Sequence, residues 1–364
     1  MTDYKEILSH FCIEGEITEV KPLGNGLIND TFKATTASAD TPDYVLQRIN
    51  TAVFTDVVLL QHNIETVTAH IRHKLEAAGE SDIDRKVLRF IPTPQGPTYW
   101  QDGEGRYWRV SVFIPRAHTY ETVNPHFSRF AGQAFGQFEA MLADLPEGSL
   151  GETIPDFHNM ALRYRQLHEA MTADKAGRTA SVASFIDEIE QHYPSMCRVE
   201  ELYAQGVLPK RVCHCDTKVN NMMFDDEGRV LCVVDLDTTM PGFVFSDYGD
   251  FLRSAANTVA EDEPDMSKIA FRMDIFEAFT EGYLEGAGSF LTPVEIDNLP
   301  FAAALFPYMQ CVRFLTDHLN GDVYWKTNYP THNLVRARNQ WHLYLSVLAH
   351  TDEMKQFIAE KQKK

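Results

Sequence analysis

The chain reads on two periods, and the change from one to the other falls at Pro115. Before it, short runs alternate as strands do; after it, apolar residues recur at helical spacing. Residues 17–23 and 31–35 flank Gly24-Asn25-Gly26, and Asn-Gly between strand-like runs signals a hairpin. Residues 44–49 read as a third strand. Across 57–75, Leu60, Ile64, Val67, Ile71 and Leu75 share one helical face. Residues 86–91 and 107–114 read as two further strands, joined by a turn-rich stretch with Gly103 and Gly105. The predicted order is β-β-β-α-β-β.

Beyond residue 119 the spacing predicts helices over 127–142, 156–171, 182–203, 266–283, 294–319 and 336–349. One island interrupts them. Residues 212–216, 222–224 and 230–235 are short apolar β-like runs, separated by turns such as Asp225-Asp226-Glu227-Gly228. The class is therefore α+β, with a sheet-bearing unit over 1–115 and a mostly helical one over 116–364. No internal repeat stands out, and the Lys-rich tail 361–364 reads as a frayed terminus.

Composition narrows the partners. The 364 residues are 44% hydrophobic and 23% charged, as in an ordinary globular enzyme. Asp and Glu outnumber Lys and Arg by 52 to 33, giving a net charge of −19, which argues against nucleic acid as a partner. No apolar run approaches a membrane span, and residues 1–6 lack the charged-then-apolar pattern of a signal peptide. Six scattered cysteines in a chain able to bury a core fit reduced thiols, so a cytoplasmic setting is expected. Cys213-His214-Cys215 invites a zinc reading. It fails, because adjacent side chains of an extended segment point apart and no second ligand pair follows at structural spacing.

The chemistry concentrates in His214-x-Asp216-x-x-x-x-Asn221, followed nineteen residues after Asp216 by Asp235 at the end of an apolar run. Phosphoryl transfer needs positioning and charge neutralisation more than covalent chemistry. Asp216 is the candidate base beside an attacking hydroxyl. Asn221 and Asp235 offer hard oxygens to Mg²⁺ held against a triphosphate. His-x-Asp alone is a surface Asx turn as readily as a site. The β-turn-β context and the terminal Asp235 favour the site.

These motifs resemble those of the aminoglycoside phosphotransferase/choline kinase superfamily, and most closely the bacterial N-acetylhexosamine 1-kinases. The resemblance is carried by residues 24–32, by 44–50, by His214-Cys215-Asp216-Thr217-Lys218-Val219-Asn220-Asn221, and by Val234-Asp235-Leu236-Asp237-Thr238-Thr239-Met240-Pro241-Gly242. Stretches 313–317, 324–327 and 332–338 extend it. It implies a bilobal protein-kinase-like fold with a small antiparallel-sheet lobe, ATP and Mg²⁺, and transfer of phosphate to the anomeric hydroxyl of N-acetylglucosamine or N-acetylgalactosamine. Rival acceptors are other small alcohols: choline, homoserine, a methylthio-sugar or an aminoglycoside. A catalytically silent nucleotide-binding relative is opposed by the complete Asp216, Asn221 and Asp235 set.

On the nucleotide side the resemblance implies Gly24, Asn25 and Gly26 over the ATP or near the sugar. It also implies a cation on the third strand, where kinases carry Lys. That strand reads Leu46-Gln47-Arg48, so Arg48 takes the role, or Gln47 part of it. Its expected carboxylate partner is Glu65, and the adenine hinge is expected near residues 111–114, at Phe113. On the sugar side it implies Asp30, Arg313 and Tyr324. Arg313 sits on an apolar run, so it must be paired, with Asp317 at i+4 as one partner, or face a cleft. Tyr324 and Trp325 read equally as core aromatics. His214 braces the loop, Lys218 neutralises the transferring phosphate or faces solvent, Asp237 belongs to the second motif, and His332 and Asn333 organise a C-terminal loop. Oligomeric state is not legible.

Overall fold

A computed structural model of the chain describes residues 3–24, 28–120 and 124–363. It divides into two compact units. The first takes Met1–Thr119, Asp144–Pro155 and Met222–Met240; the second takes Tyr120–Ala143, Asp156–Asn221 and Pro241–Lys364. The first cut lies close to the expected 115/116. The expected boundary is a single one, however, whereas the first unit also takes up two later segments, one of which carries Asp235.

In the first unit a short helix α1 (Tyr4–Leu8) precedes strands β1 (Ile17–Pro22), β2 (Asp30–Thr36) and β3 (Tyr44–Ile49). Helix α2 (Val57–Ala77), the short α3 (Ile83–Lys86), β4 (Tyr99–Gln101) and β5 (Tyr107–Val112) follow. The five strands form one antiparallel sheet in the order β1-β2-β3-β5-β4. Alternation divides its faces. Ala34, Tyr44, Leu46, Trp108 and Val110 share a core with Ile7, Leu8 and Phe11 from α1 and its flank. Gln47 and Arg109, opposite one another in register, point to the other face.

The fourth strand is not where the spacing put it. Residues 83–86 are helical, and 86–91 make only a bridge between Phe90 and Ser111. Pro92 has no N–H to continue a ladder. The strand that does pair with β5 is Tyr99–Gln101, across the turn carrying Gly103 and Gly105. The first unit is completed by the antiparallel hairpin of β7 (Met222–Phe224) and β8 (Val230–Val233). Its turn is closed by the Gly228 N–H donating to the Asp225 carbonyl.

The second unit is mostly helical: α4 (Pro125–Leu142), α5 (Met160–Ala173), α6 (Ala183–Met196), α7 (Arg198–Ala204), strand β6 (Arg211–Cys213), α8 (Val244–Ala255), α9 (Met273–Ala287), α10 (Pro293–Asp297), α11 (Leu299–Asn320), α12 (His332–Ala349) and α13 (Thr351–Lys361). The helix expected over 182–203 breaks at Cys197, three residues past Pro194, which lacks the helical donor. Helices α4 and α9 meet backbone to backbone through Gly132, Gly136, Gly282 and Gly286. A Cβ at Gly282 would lie 1.9 Å from the Arg129 carbonyl, and one at Gly136 2.7 Å from the Tyr283 carbonyl. This close approach sets Glu139 of α4 against Tyr283 of α9 at 2.5 Å.

Candidate active site

The loop after β6 is fixed from beneath. Asp247, on α8 and fully buried, accepts the backbone N–H groups of His214 and Cys215, each at 2.7 Å. Its own carbonyl accepts the Thr217 hydroxyl at 2.6 Å. His214 is enclosed between the edges of Phe135 and Phe138, and its Nδ1 accepts the Asp216 N–H at 3.3 Å. Cys215 holds a left-handed backbone, φ 62°, a conformation that costs a non-glycine residue about 1–3 kcal/mol and persists only where neighbours enforce it. The three hydrogen bonds to Asp247 supply that enforcement.

Asp216 follows, partly exposed, with the Lys218 ammonium 2.9 Å from its carboxylate. Lys218 is thus paired rather than free in solvent. Burial pulls its pKa down, but Asp216 and Asp250 outweigh this and hold it above the ordinary range. Asn221 donates its side-chain N–H to the Asp216 carbonyl at 2.8 Å. That bond engages the amide nitrogen, and the amide oxygen is the atom that could serve as a metal ligand.

Beneath this loop sit Glu139, Cys213 and Asp247, whose candidate ligand atoms lie within 4.8 Å of one another. Burial raises the pKa of all three. Glu139 also feels the Asp247 charge and accepts from the Tyr283 hydroxyl. Asp247 already serves two backbone donors. Burial thus favours the protonated forms of Glu139 and Cys213, whereas metal ligation needs deprotonated ligands, so the group reads as a brace around the Asp247 carboxylate.

Asp235 lies in the first unit, in the turn that follows β8. It is exposed and left-handed, φ 58° and ψ 55°, and opens a 3₁₀ turn over Leu236–Thr238. Asp237 in that turn is buried. Arg109 reaches its Oδ1 at 2.6 Å and Asn29 donates to its Oδ2 at 2.7 Å. Thr153 donates to its carbonyl at 2.9 Å, and Asn63 of α2 to the Thr239 carbonyl at 3.0 Å. Each motif thus presents oxygen donors, an amide at Asn221 and a carboxylate at Asp235, of the kind that suits a hard divalent cation.

Several expected nucleotide contacts sit otherwise. Arg48 is on the opposite sheet face from Gln47 and pairs with Asp30 across the β2–β3 register. It does not meet Glu65, which accepts from the Thr98 hydroxyl. Strand alternation decides this: Arg48 shares a face with Leu46, and α2 faces Gln47. The Phe113 N–H is engaged by the Asp43 carbonyl at 2.8 Å, and its ring lies beneath the Lys33 ammonium. Gly24 has φ 69° with open space where a Cβ would go; Asn25 and Gly26 lie outside the described residues.

On the acceptor side, Arg313 does not pair with Asp317. Asp317 accepts the N–H groups of Val323, Tyr324 and Trp325, and Asn333 bridges it to Asp322. His332 accepts the Asn328 N–H. Asp317, His332 and Asn333 thereby shape the 321–331 loop. Tyr324 is 55% exposed rather than core, whereas Trp325 tilts against the buried Phe314 ring. Arg313 donates to Gln310 at 3.1 Å and lies 5.3 Å from the ring centres of both Phe157 and Trp325. Nearby, Arg163 bonds Gln166 and the Phe157 carbonyl, with its Nε unpartnered. His158 has a buried, unpartnered Nδ1, and burial drives its pKa to about 3, so it is neutral. Burial lowers the pKa of both guanidinium groups; the Arg313 charge lowers that of Arg163 further, and the Arg253 charge that of Arg313.

Sequence reasoning overlooked Arg109, Asp247, Glu139, His158 and Arg163. Asp247 carried one signal, a carboxylate inside the apolar run 243–252. Arg109 carried another, a cation in an alternating strand.

A profile of the phosphotransferase enzyme family matches residues 19–293. Solved structures share the fold at low identity. A spectinomycin phosphotransferase in complex with ADP and spectinomycin has 12% identity and TM-score 0.59, over 96% of this chain and 98% of that one. An amicoumacin kinase in complex with AMP-PNP, Ca²⁺ and Ami has 12% identity and TM-score 0.61, over 93% and 91%. A microcompartment-associated aminopropanol kinase has 14% identity and TM-score 0.60, over 97% and 98%. No helix among the described residues is long and apolar enough to cross a membrane. With the kinase-like α+β fold and the family match over most of its length, the chain belongs to the phosphotransferase enzyme family.

Proposed function

We propose that the protein transfers the γ-phosphate of ATP to the anomeric hydroxyl of an N-acetylhexosamine, N-acetylglucosamine or N-acetylgalactosamine, giving the sugar 1-phosphate. The observation that carries this is the pair Arg163 and Arg313. Among the described residues neither makes an ion pair with a carboxylate. Charged neighbours link Arg313 to Asp216: Lys218 beside Asp216, then Asp250 with Arg253, then Arg313. A cationic acceptor would meet two guanidinium groups there that no carboxylate pairs directly among the described residues. An acetamido sugar offers neutral carbonyl and hydroxyl oxygens, which buried donors bind without charge repulsion.

In this reading Asp216 orients the anomeric hydroxyl and accepts its proton. Asn221 and Asp235 hold Mg²⁺, which when bound neutralises charge on the triphosphate. Lys218 shifts from Asp216 toward the transferred phosphate as the proton arrives. Asp30 and Tyr324 contribute to the sugar, and the segment around Gly24 to the nucleotide. Six unpaired thiols support a reducing, cytoplasmic setting.

The test is an ADP-release assay with N-acetylglucosamine, N-acetylgalactosamine, a methylthio-sugar, choline, homoserine, aminopropanol and an aminoglycoside. Turnover of either N-acetylhexosamine well above the rest is expected. Silence on both, beside brisk turnover of a charged acceptor, would sink the substrate assignment.

A further inference from the structure

We infer that Arg109 is a positioning residue for metal-nucleotide binding and replaces, from a different strand, the cation that protein kinases carry on strand three. The inference rests on the reading of Asp235 as a metal ligand. In protein kinases a strand-three Lys pairs with a Glu of the following helix. Here both places carry amides. Gln47 on β3 accepts Arg109 Nε at 3.0 Å, and Gln61 on α2 accepts Arg109 Nη1 at 3.2 Å. The cation lies between them and is 2% exposed.

Being buried, Arg109 does not reach nucleotide itself. Its charge goes to Asp237, two residues beyond Asp235, at 2.6 Å. Asp237 is also held by Asn29, whose Oδ1 accepts the Asn50 N–H at 2.9 Å. One guanidinium therefore ties β3, α2 and the Asp235 turn to the base of the segment that follows Gly24. The left-handed backbone at Asp235 needs such restraint, because its side chain is aimed by a conformation that a free turn would abandon. Lys cannot reproduce the restraint. Its single ammonium lacks the planar fork that meets two amides and a carboxylate together.

The experiment is titration of Mg²⁺ into the full chain with ADP, without acceptor, followed by calorimetry. Arg109→Lys should need about 10–100-fold more Mg²⁺ for half-saturation, as for residues that orient metal ligands. Metal-free ADP affinity should stay unchanged. Asn29→Ala should move in the same direction by a smaller factor, and it decides the question if Arg109→Lys does not fold. A lowered melting temperature with wild-type Mg²⁺ dependence in the variants would overturn the inference and leave Arg109 as a stabilising residue only. Asp235→Ala is the control. If its Mg²⁺ dependence is also wild type, the assignment of Asp235 fails, and with it the reading on which this inference stands.

Discussion

The loop bearing Asp216 and the turn bearing Asp235 solve the same problem with opposite electrostatics. Each aims an acidic side chain from a strained left-handed backbone, at Cys215 in one and at Asp235 itself in the other. The Asp216 loop is held by a buried acid. Asp247 takes two backbone N–H groups, and burial raises the pKa of the second acid beside it, Glu139. The Asp235 turn is held by a buried cation, Arg109, against Asp237. A carboxylate needs no side-chain partner when backbone donors satisfy it. A buried carboxylate on a turn without such donors needs a counter-charge. The two anchors should therefore respond differently to charge removal and to pH.

The largest expected effect separates chemistry from binding. Asp216→Asn should lower kcat by about 10²–10⁴-fold while nucleotide affinity with Mg²⁺ stays near wild type; near-normal kcat would remove Asp216 as the base. Next comes the anchor beneath it. Asp247→Ala strands the His214 and Cys215 N–H groups, at about 1–3 kcal/mol for each buried donor. Urea unfolding should show a loss of that order, with most activity gone.

Glu139→Gln tests the shared-acid account by the sign of its pH dependence. Burial raises the Glu139 pKa from its ordinary 4.5. Above that value the unfolded chain releases a proton that the folded chain retains, so this contribution to stability declines as pH rises toward the folded pKa. Gln does not titrate. Its melting temperature, measured from pH 5 to 8, should fall less steeply than that of the wild type, and parallel curves would show that Glu139 is ionised in the fold. The smallest effect is on the expected nucleotide cation. Arg48 and Asp30 form an exposed pair, worth about 0–1 kcal/mol. Arg48→Met should leave both stability and ATP KM nearly unchanged, unlike substitutions at Arg109.

The sequence exposed what is local and periodic. Four strands (β1, β2, β3 and β5), α2 and the β7–β8 hairpin follow from alternation, helical spacing and the Asp225–Gly228 turn, and Asp216, Asn221 and Asp235 follow from motif spacing. Helix α8 was missed although Phe245, Tyr248, Phe251, Leu252 and Ala255 recur at helical spacing, because Gly249 and the acids Asp247 and Asp250 within it are poor helix formers. The fourth strand was misplaced because three residues of Tyr99–Gln101 weigh less, as a pattern, than the apolar run before Pro92. Arg109 and Asp247 work across more than thirty residues of sequence, and spacing along the chain carries no record of such partners. The Arg48–Glu65 pairing failed on strand parity alone, which a one-residue choice of face decides.

The most direct measurement of the central claim is product structure. The protein, ATP, Mg²⁺ and N-acetylglucosamine, followed by phosphorus and proton NMR, should yield one phosphomonoester coupled to the anomeric proton, together with one equivalent of ADP. Phosphate on any other hydroxyl, or ADP formed without a sugar phosphate, would contradict it.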